Sequence, residues 1–116
     1  NDDRTIKRST FIGYDLLREI NYNYGEKFSS RLIEAKFNCN FDYINRIFKK
    51  ETGQTIFSYL TTVRISQAKI LLTSGNFPVK TIAQRVGYDD IYYFSNVFKK
   101  ETGLSPTQYR KMILEN

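Results

Sequence analysis

Phe48-Lys49-Lys50-Glu51-Thr52-Gly53 and Phe98-Lys99-Lys100-Glu101-Thr102-Gly103 are the same six residues written twice in one chain of 116. The likeness runs outward at the same spacing, pairing Tyr43 with Tyr93, Ile44 with Phe94, Ile47 with Val97 and Tyr59 with Tyr109. Further upstream the register slips by one, so that Ile33 pairs with Ile82, Phe37 with Val86 and Asn38 with Gly87. One extra residue in the second copy's turn accounts for the slip. Two copies are too few for a solenoid, and a duplicated functional unit is the reading that remains.

Around the repeat, strand signals are nearly absent and apolar residues recur at helical spacing, which predicts an all-α chain of seven helices. Residues 1–10 are polar and read as a linker end, while 11–24 read as a first helix with Ile12, Leu16, Leu17, Ile20 and Tyr24 on one face. Ser29 or Ser30 is placed to cap a short helix carrying Leu32, Ile33 and Phe37. Asn38-Cys39-Asn40 reads as a turn, with Asn40 the N-cap of a helix that runs to Thr52 and Gly53 the residue that ends it. Thr55 then caps a long helix over 56–73, whose predicted buried stripe is Leu60, Val63, Ala68, Leu71 and Leu72. The second copy follows: a short helix over 78–86, a turn at Gly87-Tyr88-Asp89, and a helix over 90–102. A last helix begins at Ser105-Pro106-Thr107-Gln108, with Ser at the N-cap, Pro at the first position and Gln at the third, as a capping box prefers. The organisation expected is a linker remnant over 1–10, one helix-turn-helix subdomain over 11–55, a linker helix over 56–74 and a second subdomain over 75–116.

Composition narrows the function. The net charge of +6 favours an anionic partner, which at this level is nucleic acid, acidic lipid or acidic protein. Residues 1–60 hold ten Lys/Arg against eight Asp/Glu, and residues 61–116 hold eight against four, so the excess leans toward the C-terminal half. Cys39 is the only cysteine and there is no histidine, so an intrachain disulfide, a zinc site and a Ser-His or Cys-His nucleophile lack raw material. The lone cysteine points to a reducing compartment and a cytoplasmic location. No apolar run approaches the roughly 20 residues that span a bilayer, and neither a catalytic constellation nor a cofactor motif stands out. The chain begins Asn-Asp-Asp rather than with Met, as a piece of a longer protein would.

A short helix, a brief turn and a second helix make the helix-turn-helix arrangement, whose second helix packs one face on the core and offers the other to the major groove. In the first copy Ile44, Ile47 and Phe48 form the inner stripe, and Asp42, Asn45, Arg46 and Lys49 fall at i, i+3, i+4 and i+7 on the outer one. In the second copy Phe94, Val97 and Phe98 turn inward, and Tyr92, Ser95, Asn96 and Lys99 form the outer stripe. Arg pairs with guanine O6/N7 by two bonds and Asn with adenine N6/N7 in the same way, while Lys suits phosphate. A polar stripe on an amphipathic helix is ordinarily its solvated face; matching stripes at the same point of two similar units favour a binding role. Asp42, Asp89 and Asp90 are explained more simply by the dipole at a helix start, with acceptance from cytosine N4 left open for Asp42. Tyr43 and Tyr93 fall between the stripes and read as packing residues with a hydroxyl reaching for phosphate. Cys39 reads as a small buried turn residue.

The run Ile82-Ala83-Gln84-Arg85-Val86-Gly87-Tyr88-Asp89-Asp90, with Tyr93-Phe94-Ser95, Phe98-Lys99-Lys100, Thr102-Gly103, Ser105-Pro106 and Tyr109-Arg110, resembles the signature of the AraC/XylS transcription regulators. Arg64, Ala68, Leu71 and Leu72 resemble that family's linker helix, and the resemblance covers residues 11–113. It implies a single chain that places two recognition helices in successive major-groove segments of double-stranded DNA. By position it implies base contacts from Asp42, Asn45 and Arg46 in the first unit and from Ile91, Tyr92 and Asn96 in the second. A 56–73 helix would be about 27 Å long, near the roughly 34 Å helical repeat that two recognition helices must match. Three residues depart from the pattern: Glu34 stands where a small buried Ala is usual and is expected to loosen the packing of its helix, Asn96 replaces a frequent Arg, and Tyr92 a small residue. The resemblance also implies a separate sensor or receiver domain in the parent chain; the competing readings are an interaction module, for instance one that meets RNA polymerase, and a non-specific architectural DNA binder.

Overall fold

The computed structural model describes the backbone of residues 2–115 and the side chains of residues 8–115. Seven α-helices appear among the described residues: α1 (Asp2–Asn23), α2 (Ser30–Phe37), α3 (Phe41–Thr52), α4 (Ile56–Thr73), α5 (Val79–Arg85), α6 (Ile91–Thr102) and α7 (Pro106–Leu114). They form two compact units, one of residues 1–23 and 27–60, the other of residues 24–26 and 61–116. The helix α4 therefore starts in the first unit and continues into the second.

Capping chemistry sets the starts of α2, α3, α4 and α7 where the sequence placed them. Ser29 Oγ accepts the Leu32 N–H, Asn40 Oδ1 accepts those of Asp42 and Tyr43, and Thr55 Oγ1 accepts that of Ser58. Ser105 and Gln108 close a full capping box on α7. Each cap satisfies backbone donors that a helix's first turn leaves without partners.

The duplicated hexapeptide turns out to be a helix terminator. Gly53 and Gly103 sit in the left-handed region at φ +84° and +86°, and their N–H groups reach Lys49 O and Lys99 O at 2.7 Å. Thr52 Oγ1 donates to Phe48 O (2.8 Å) and accepts the Gln54 N–H (3.2 Å); Thr102 does the same with Phe98 O (2.8 Å) and Leu104 N–H (3.2 Å). Phe48 meets Tyr59 edge-on at 5.5 Å, and Phe98 meets Tyr109 edge-on at 5.5 Å. The six residues thus stop a helix, turn the chain and dock the next helix, identically in both copies. The paired lysines lie in the last turn, where the helix dipole favours cations.

In the first unit α1 and α2 pack on α3, and the buried apolar residues are Ile12, Leu16, Ile20, Ile33, Ile44, Phe48, Ile56 and Leu60. The second unit closes around Ile65, Ala68, Leu72, Ile82, Ala83, Val86, Phe94 and Phe98, flanked by Leu71, Phe77, Tyr88 and Tyr109. Arg110 ties this core's edge by donating to Leu72 O and Phe77 O.

Two expectations need correction. Helix α1 begins at Asp2 rather than near Phe11: the polar 2–10 segment contains no glycine or proline and continues the helix, while Asn1 lies outside the described residues. On α4 the expected single stripe does not hold, since Ile65 is buried whereas Val63 and Leu71 are half-buried. The helix serves two cores, Ile56 and Leu60 in the first unit and Ile65, Ala68 and Leu72 in the second, so its apolar register jumps five residues between Leu60 and Ile65. On α2 only Ile33 is buried; Leu32 is 50% exposed.

Candidate nucleic-acid interface

In the first unit the α2–α3 turn is made by Asn38 in the left-handed region (φ +51°), then Cys39 and the cap Asn40. Glu34 contributes a second cap. Its carboxylate accepts the N–H of Phe41, the first residue of α3, at 2.6 Å. An anion at a helix N-terminus is favourable on both hydrogen-bond and dipole grounds, so Glu34 braces the turn instead of loosening it. Cys39 is half-buried rather than buried, with its Sγ accepting from Arg8 Nη2 at 3.2 Å.

On α3 the four outer-stripe residues separate into two kinds. Asp42, Arg46 and Lys49 are exposed. Asn45 is half-buried, and its Oδ1 accepts the N–H of Ile56 at 2.9 Å, where α4 begins. The amide that Asn45 would offer to an adenine is therefore committed, through its oxygen, inside the unit. Tyr43 is half-buried and, with Arg46, Ile47 and Lys50, lines a shallow basic depression on the flank of α3.

The second unit shows why this position differs between copies. Its counterpart of Ile56 is Pro106, which has no N–H to satisfy, and its counterpart of Asn45 is Ser95, half-buried and too short for the same reach. The pairings Asn45 with Ile56 and Ser95 with Pro106 are internally consistent substitutions.

The longer α5–α6 turn places Gly87 at φ +109°, and its Tyr88 N–H returns to Ala83 O at 2.8 Å. Arg64 of α4 lies flat over Gly87: a Cβ there would meet the guanidinium carbon at 2.7 Å. The same guanidinium donates to Tyr24 O (2.7 Å) and Glu26 O (2.8 Å) and sits 5.1 Å from the centre of the Tyr88 ring. Burial pushes the Tyr88 phenol above its ordinary pKa, with Arg64 partly opposing the shift. Tyr88 also packs on Tyr93 and Phe94, with ring centres 5.8 and 5.5 Å apart.

Asp90 caps α6 through Oδ1, at 2.8 Å from the Tyr92 N–H and 3.3 Å from that of Tyr93. Tyr92 is 80% exposed, Asn96 and Lys99 are exposed, and Ile91 is half-buried at the first position of the helix. Tyr93 is exposed and leans on Tyr88 rather than packing inward. The roles of Glu34, Asn45 and Arg64 in holding the turns were not read from the sequence. For Asn45 a signal existed, since its copy changes together with the loss of an N–H at Pro106.

Each unit thus presents a short helix, a tight turn and a capped second helix with an exposed polar face, which defines a helix-turn-helix DNA-binding protein. Comparison with known proteins agrees: the sequence matches the family described as a helix-turn-helix domain over residues 33–112. It is 43% identical over 67 residues to the arabinose operon regulatory protein of Salmonella typhimurium, an alignment covering 58% of this chain and 24% of that protein. The C-terminal domain of AraT, a response regulator from Geobacillus stearothermophilus, is 34% identical and superimposes with a TM-score of 0.83 over 87% of this chain and 84% of that one. The DNA-binding domain of AdpA, a global transcriptional factor solved with a target DNA, shares the fold at 24% identity and a TM-score of 0.80, covering 86% of this chain and 90% of that one. The chain belongs to the AraC/XylS family of transcription regulators. It spans about a quarter to just over a third of the length of the curated relatives it matches. No helix among the described residues is long and apolar enough to cross a membrane.

Proposed function

We propose that this chain reads a specific duplex sequence by laying α3 and α6 in successive major-groove segments, as the DNA-binding part of a larger cytoplasmic regulator without enzymatic activity. The observation that carries the reading is the matched exposure of Asp42, Arg46 and Lys49 on α3 and of Tyr92, Asn96 and Lys99 on α6, at equivalent positions of duplicated units. Arg46 and Asn96 are the base readers, Asp42 and Tyr92 flank them one turn earlier, and Lys49 and Lys99 hold phosphate. Ile91 and Ser95 contact the groove through small apolar or hydroxyl surface, and Asn45 does so only through its amide NH2. A sensor or receiver domain elsewhere in the parent chain, and a contact with RNA polymerase, complete the regulator; the short share of its relatives that this chain spans supports the first.

Selection from a random duplex library tests the reading. A specific reader prefers its site by about 10³ or more over random DNA at the same salt. Lys49→Ala and Lys99→Ala should weaken binding to all sequences alike and each flatten the salt dependence by about one ion. An unenriched library sinks sequence-specific reading and leaves architectural binding.

A further inference from the structure

The two recognition helices differ in chemistry at the same pair of positions, one turn apart. On α3 the exposed i, i+4 pair is Asp42 and Arg46, an acceptor anion and a two-pronged donor cation. On α6 it is Tyr92 and Asn96, an aromatic ring 80% exposed and an amide that donates and accepts at once. The residue between the pair that could blur the contrast is only half-exposed in each unit: Asn45 also gives its oxygen to Ile56 N–H, and Ser95 offers no more than a short hydroxyl. Ion pairs among the described residues involve Lys36 with Asp15 and Glu19, and Arg46 and Asp42 form none with each other.

These pairs fit different base pairs. Arginine matches the O6 and N7 acceptors of guanine, and a carboxylate accepts from N4 of cytosine; neither matches an A·T edge as well. An amide matches N6 and N7 of adenine, and an aromatic or apolar surface fits the C5-methyl of thymine. Ile91, half-buried at the start of α6, adds apolar surface beside Tyr92, where α3 carries Phe41 packed against Phe57 with ring centres 5.7 Å apart.

The geometry points to a target of split composition: a half-site centred on G·C pairs under the first unit and a half-site centred on A·T pairs, recognised partly through thymine methyls, under the second. This rests on the major-groove reading above and assigns the DNA chemistry that each unit takes.

Library selection with the whole chain should enrich a two-part motif. Arg46→Ala relaxes a G·C position in one part and Asn96→Ala an A·T position in the other, each by roughly 5- to 150-fold. Replacing thymine by deoxyuridine at the second part removes only methyl groups, and should weaken wild-type binding about fourfold per contacted methyl. The same change should leave Tyr92→Ala nearly unaffected. All three truncations lie on exposed helix faces, and circular dichroism verifies folding. Asn96→Arg supplies an independent gain of function, moving the preferred base from adenine to guanine. An enriched motif in which Asn96→Ala relaxes a G·C pair or no position, or in which deoxyuridine changes nothing, overturns this inference while leaving major-groove reading intact. A library with no enriched motif overturns both.

Discussion

Asn45→Ala separates a structural role from a reading role at one atom. Asn45 Oδ1 accepts the N–H of Ile56 at 2.9 Å, and the Ile56 side chain is fully buried. Truncation leaves that N–H, in a half-closed site, without its acceptor, at a cost of about 1–3 kcal/mol. A domain of 60–100 residues loses about 4–8 °C of melting temperature per kcal/mol, so the first unit should melt measurably earlier. The internal control is Ser95→Ala: with Pro106 opposite there is no N–H to abandon, and stability should stay within about 0.5 kcal/mol. A double-mutant cycle sharpens the point. Proline is well suited to the first position of a helix, and in an Ile56→Pro background the extra cost of Asn45→Ala should fall to about 0.5 kcal/mol or less. Thermal and guanidinium unfolding followed by circular dichroism measure the cost, and hydrogen exchange at the Ile56 amide locates it. The reasoning is refuted if Asn45→Ala leaves stability and Ile56 exchange unchanged while relaxing one base pair of the preferred site.

Three further outcomes follow from the turns. Glu34→Ala should destabilise the first unit by about 1–2 kcal/mol, because the Phe41 N–H loses a charged acceptor at a helix start; a stabilised variant would restore the idea that Glu34 only disturbs packing. Gly53→Ala meets open space and bears only the left-handed backbone cost, about 1–2 kcal/mol, whereas Gly87→Ala also displaces the Arg64 guanidinium and should lose more; equal losses by chemical denaturation would refute the stacking. Because burial raises the folded-state pKa of Tyr88, its contribution to stability is complete below about pH 10 and declines as pH rises through the raised value. Alkaline unfolding should therefore be shallower for Tyr88→Phe above that pH, and an identical profile would count against it.

Much of the fold was legible because it depends on local chemistry. Asn40, Gly53, Thr55, Ser105 and Gly103 act on backbone groups within a few residues, so their effect can be read along the chain. The candidate surface was legible where exposure follows from helical period, as for Arg46, Lys49, Asn96 and Lys99. At Asn45, whose partner lies eleven residues on in the next helix, it was legible only by setting the two copies side by side, and at Glu34 it was not legible, because the acceptor role depends on how closely α2 approaches the start of α3.

The sequence by itself determined that this protein is two copies of one helical unit, where the helices after α1 start, and which family of regulators it joins. The tertiary structure decided how α4 divides its apolar residues between two cores. It also decided that Arg64 is spent on holding Tyr24 and Glu26 within the second unit, and which polar residues of the outer stripes remain exposed. The physical reason is range: caps and glycine turns act within a few residues, while a side chain's availability depends on whichever backbone group folding brings to it.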